Sequence, residues 1–65
     1  MLDKKGTVLE IMDEVSVPDP NKSDIHHYAF VGTVVDILED RGTAIVEDQD
    51  SDFFEIETDR LEVRA

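Results

Sequence analysis

With 65 residues the chain is long enough for one small domain and no more, and a domain of that size buries only about 60% of the surface its unfolded form exposes. No cysteine is present to supply a disulfide framework or a thiolate zinc site, so a thin apolar core has to carry the stability. Seventeen acidic residues against six basic ones give a formal net charge of −11, a field that argues against phosphate backbones and anionic membranes as partners; its first reading is solubility and resistance to self-association, its sharper one a basic protein partner.

The charge is uneven. Residues 1–32 hold six acids and three bases, whereas residues 33–65 hold eleven acids and three bases. No apolar run approaches membrane-spanning length, and the opening Met-Leu-Asp-Lys-Lys-Gly lacks the apolar segment of a secretory signal, so a cytoplasmic location is expected.

In chain order, the segment from Gly6 to Val15 fits two patterns. Val8, Ile11, Met12 and Val15 fall at helical spacing, while Thr7, Leu9 and Ile11 alternate; the Val and Ile content favours a first strand. Residues 16–27 carry two prolines, an asparagine and two aspartates, which predicts a long loop. Tyr28 to Leu38 is the longest strand candidate, with Phe30, Val34 and Leu38 on one side and Val31, Val35 and Ile37 on the other. Gly32 marks the place for a bend, a bulge or a close backbone approach.

Glu39-Asp40-Arg41-Gly42 predicts a tight turn with Gly42 at positive φ. Thr43 to Asp48 forms the return strand, residues 49–52 a polar turn, and Phe53 to Glu57 a strand with Phe54 and Ile56 inward and Glu55 and Glu57 outward. Thr58 and Asp59 are suited to cap one short helical turn, after which Leu61 to Val63 closes as a last strand. The expected core includes Val35, Val46, Phe54 and Ile56, with the carboxylates left in water.

This order of elements resembles the SH3-like fold: an all-β, five-stranded barrel with a long first loop and one short helical turn before the last strand. Val31-Gly32-Thr33-Val34-Val35-Asp36-Ile37, followed after a glycine turn by Ala44-Ile45-Val46-Glu47-Asp48, resembles the KOW-type Gly-Thr-Val-Val motif of that fold. More loosely, Phe30 to Glu62 is similar to small uncharacterised bacterial proteins that share Gly-Thr-Val-Val and end in Asp-Arg-Leu-Glu. The resemblance covers about half the chain and specifies turns and core rather than chemistry. KOW-containing proteins meet RNA or protein through basic or mixed surfaces; here the turn at 39–42 is acidic apart from Arg41. A polyproline groove of the SH3 type needs aromatic walls, and the chain has no tryptophan.

Candidate sites are few. Asp48, Asp50 and Asp52 open with the alternate spacing of a calcium loop and Asp59 stands at its twelfth place, but Phe53 occupies the sixth, where the turn needs glycine. What remains there is a weak divalent-cation site at most. His26 and His27 adjoin Asp24 and Tyr28, yet neighbouring residues of an extended chain point to opposite faces, and no further His or Cys completes a zinc site.

The carboxylates sit on outward strand faces and a barrel this small is filled by its own side chains, so no enzyme and no cofactor is expected. The expected function is a small acidic interaction or accessory module whose tentative binding residues are Asp24, His26, His27, Tyr28, Arg41 and Phe53. The alternative is an inhibitor or immunity-type protein whose carboxylates mimic nucleic-acid phosphates toward a basic partner. His26 and His27 are the groups expected to tune stability between about pH 5 and 7. A His26→Ala, His27→Ala variant whose stability tracks the parent's across that range would remove the role.

Overall fold

In a computed structural model, residues 1–18 and 29–64 are described. The sequence candidates Asp24, His26, His27 and Tyr28 lie outside them. The chain is all-β: β1 (Glu14–Val17), β2 (Phe30–Leu38), β3 (Thr43–Glu47), β4 (Phe53–Glu57) and β5 (Glu62–Val63), with 3-10 turns at Glu39–Arg41 and Thr58–Arg60. All pairings are antiparallel within one sheet of order β4-β3-β2-β1-β5. The barrel expected from the sequence is not closed, because β4 and β5 end the sheet and do not pair with each other. Among the described residues no helix is long and apolar enough to cross a membrane.

The first strand starts later than the sequence pattern predicts. Residues 6–13 are neither a continuous strand nor a helix: Leu2 bridges Val8 in a short N-terminal hairpin, and a second turn joins Glu10 to Asp13. Side-chain carboxylates cause both interruptions, since Asp3 captures the amides of Lys5 and Thr7 and Asp13 captures that of Glu10. β1 then takes Ser16 and Val17, which the sequence pattern assigned to the loop.

β2 pairs with β1 through Phe30–Thr33 and with β3 through Thr33–Leu38. A register shift between Val34 and Asp36 leaves Val35 as the extra residue of a bulge. The bulge changes the phase of the strand. Phe30 and Val34 face the core before it, but Ile37 rather than Leu38 lies opposite buried Ala44 after it. Val35, on the face opposite Val34, stands outside the buried cluster and not in the core as the sequence reading expects. Leu9, Val15, Val17, Val34, Ala44, Val46, Ile56 and Leu61 form the buried cluster, with Phe30, Ile37, Phe54 and Val63 packed against it.

Gly32 is the close approach rather than the bend. A Cβ there would stand 2.6 Å from both the Glu47 carbonyl oxygen and Val46 Cγ1, so Gly32→Ala is expected to destabilise the fold by about 1–3 kcal/mol, measurable as a lower urea midpoint. Met12 holds φ at 80° although it has a side chain, a strain of about 1–2 kcal/mol. Met12→Gly relieves it at the cost of a more flexible unfolded chain, and the net expectation is a gain of about 0.5–1 kcal/mol, while Met12→Val should lose stability.

Candidate functional site

The five basic residues that are described are all engaged. Lys4 and Lys5 pair with Glu62 at 3.3 and 3.5 Å, Arg64 with Glu14 at 3.1 Å, Arg41 with Glu55 at 2.9 Å, and Arg60 with Glu57 at 3.4 Å. These pairs are partly or fully exposed and contribute little stability individually, but they decide where the field is cancelled. The turn from Asp48 to Asp52 and its neighbour Glu47 receive no basic side chain among the described residues.

The surface around that turn has a shape. On the outward face, Glu14, Thr33, Glu47 and Phe53 stand in one row across four strands, and Phe53 is 58% exposed. Two clefts flank the turn. One, of about 270 Å³, runs between Ala29, Phe30 and Val31 on one side and Asp48, Gln49 and Asp50 on the other. The second, of about 210 Å³, is bordered by Glu14, Thr33, Glu47, Asp48 and Gln49. Val31, Asp48 and Gln49 belong to both, so the clefts form one anionic end of the molecule.

Asp48 is not a solvated turn residue: it is 8% exposed. Its Oδ1 accepts from the amides of Asp50 and Asp52, each at 2.9 Å. Its Oδ2 is buried and has no hydrogen-bond partner among the described residues, a costly state for a carboxylate oxygen. The calcium-like spacing of Asp48, Asp50 and Asp52 does not become a cation shell, since among the described residues no three acidic or histidine side chains are grouped to hold a metal ion. Asp48 instead spends one oxygen on the main chain of its own turn.

Asp3 is the second buried carboxylate, at 5% exposure, and sequence reasoning passed over it. Oδ1 accepts from the Lys5 and Thr7 amides at 2.9 and 2.8 Å, and Oδ2 from the Val63 amide at 2.7 Å. Asp3 thereby clasps the N-terminal turn to β5. The Val63 amide is the main influence holding its carboxyl below the usual range; burial opposes, and the Thr7 and Lys5 amides and the Lys5 charge add to the lowering. Glu62 is also lowered, first by its hydrogen bond from Lys4 and then by the charge of Lys5. The signal for both clasps was an aspartate at the head of a turn, Asp3 before Gly6 and Asp48 before Ser51, but burial of the carboxylate has no sequence signature.

Of the remaining sequence candidates, Phe53 lies at the anionic end and Arg41 does not. Arg41 is tied to Glu55 beyond the start of β3, and β3 separates the two ends by about 13 Å, four residue steps of a strand. Thr58 does not cap its 3-10 turn with a side-chain bond; its amide and hydroxyl donate to the Gly42 carbonyl at 3.1 and 3.5 Å, joining the two turns.

No family model, curated protein or solved structure matches the chain, so the functional reading rests on this geometry.

Because the folded-state pKa of Asp3 is depressed, its clasp contributes in full well above the ordinary carboxylate value and is lost as pH falls through the lowered one. The stability gap between the parent and Asp3→Ala is therefore expected to be widest near neutrality and to narrow below about pH 4. Urea unfolding at stepped pH checks this, and a gap that stays constant down to pH 2 would contradict it.

Proposed function

We propose that the protein is a non-catalytic interaction module that engages a basic surface of another protein through the end formed by Glu47, the Asp48–Asp52 turn and Phe53. The carrying observation is the distribution of charge. Every described base is spent on a carboxylate elsewhere, so among the described residues the acids of this end, beside an exposed phenyl ring, receive none. An apolar anchor within an anionic rim suits a partner that offers lysine or arginine around an apolar recess. The order strand, long connection, three strands, 3-10 turn and short strand supports an open variant of the SH3-like class, with Gly32 in its Gly-Thr-Val-Val segment serving packing.

A phosphate-mimicking inhibitor is the second reading, favoured by the acids Glu47, Asp50 and Asp52 in one short stretch. Capture of partners from a native lysate, eluted with rising salt, tests both. Steeply salt-dependent capture competed by nucleic acid selects the mimic; capture that free nucleic acid leaves intact selects the module. In either case Glu47→Gln, Asp50→Asn, Asp52→Asn together are expected to keep the fold and weaken binding about tenfold, with a shallower salt dependence. Undiminished binding by that variant would place the interface elsewhere.

A further inference from the structure

The two clasped turns are the same structure used twice. Asp3-Lys4-Lys5-Gly6-Thr7 and Asp48-Gln49-Asp50-Ser51-Asp52 each carry four equivalent hydrogen bonds. The Asp amide donates to the fifth residue's carbonyl, at 2.9 Å in both; the fourth residue's amide donates to the Asp carbonyl, at 3.1 and 3.3 Å. The third and fifth amides donate to Asp Oδ1, at 2.9 and 2.8 Å in one turn and 2.9 and 2.9 Å in the other. The fourth residue has positive φ in both, 82° at Gly6 and 65° at Ser51.

They differ in the second oxygen. Asp3 Oδ2 accepts the main-chain amide of Val63, whereas Asp48 Oδ2 is buried without a partner among the described residues. They also differ in charge. Lys4 and Lys5 of the first turn pair with Glu62, the residue just before the amide donor; Gln49 and Asp50 occupy the matching places in the second.

We infer that the Asp48 turn is a docking site for an extended basic peptide segment, whose main-chain N–H fills Asp48 Oδ2 as Val63 fills Asp3 Oδ2. The residue before that donor is a lysine or arginine set against Asp50, the charge-reversed counterpart of Glu62 against Lys5. The segment enters by the two clefts that share Val31, Asp48 and Gln49, and the turn shifts to admit the donor to an oxygen that is closed to solvent in the free protein. Orphaned buried acceptors are costly, so donation of one N–H rewards the shift, and the clefts' carboxylates select a basic side chain. This deepens the proposed function and rests on it.

The test uses the whole protein and a capped peptide of residues 60–64 carrying Glu62→Lys, with the unaltered 60–64 peptide and oligolysine as comparators, followed by amide chemical shifts at low salt. The expected result is saturable shifts at Asp50 and Asp52 with the lysine peptide, at least tenfold weaker binding of the unaltered one, and at least tenfold loss in Asp48→Asn. That variant keeps an oxygen for the turn amides and turns a donor toward the peptide. Asp50→Lys, which leaves Asp48 intact, should invert the preference between the two peptides. Oligolysine binding with no effect of Asp48→Asn and no inversion by Asp50→Lys overturns the docking site and leaves the anionic-end reading standing. Failure of every basic peptide to bind overturns both.

Discussion

The constraint on which the structure turns is that β2 must be hydrogen-bonded on both sides while feeding a single small core. Among the described residues no α-helix is present to lie over the sheet, so the sheet has to cover its own apolar face. Two local devices in β2 permit this. Gly32 lets β3 come so close that a methyl group would collide with the Glu47 carbonyl, and the bulge at Val35 restores apolar residues to the inner face after the bend. The result is a sheet whose fully buried positions, Val15, Val34, Val46, Ile56 and Leu61 among them, are drawn from segments far apart in the sequence and meet in one thin core.

Carboxylates serve this fold in three ways, and burial separates them. Glu14, Glu55, Glu57 and Glu62 meet bases at the surface, where pairing mainly cancels charge. Asp3 and Asp48 are buried and act as acceptors for main-chain amides, each holding a tight turn in place of backbone pairing. Among the described residues Glu47, Asp50 and Asp52 do neither. Where β3 passes into β4, beside Phe53, three such acids therefore stand together.

The two buried aspartates show how one local motif acquires different roles from its surroundings. At the N-terminus, β5 runs past the turn and supplies the Val63 amide, so the motif becomes a structural clasp with a depressed pKa. At the β3–β4 turn no described strand supplies that donor. The stability of the first and the reactivity toward a donor of the second follow from the same geometry, one satisfied and one open.

Read as sequence, residues 30–63 determined most of their own structure: the period-two pattern of Phe53–Glu57, the positive φ at Gly42 and the polar break at 49–52 act through neighbours a few residues apart. Residues 6–13 misled the pattern because Asp3 and Asp13 fold back onto nearby amides and outweigh the strand preference of Val8 and Ile11. Ile37 and Leu38 exchanged roles because one extra residue in a ladder reverses every side chain after it. Only the tertiary structure decided that the sheet stays open, that Asp3 reaches Val63 across the whole length of the chain, and that Asp48 is buried with an oxygen to spare. Those outcomes depend on contacts between distant segments, and hydrogen bonding and burial at such contacts are set by three-dimensional closeness that no local spacing of residues encodes.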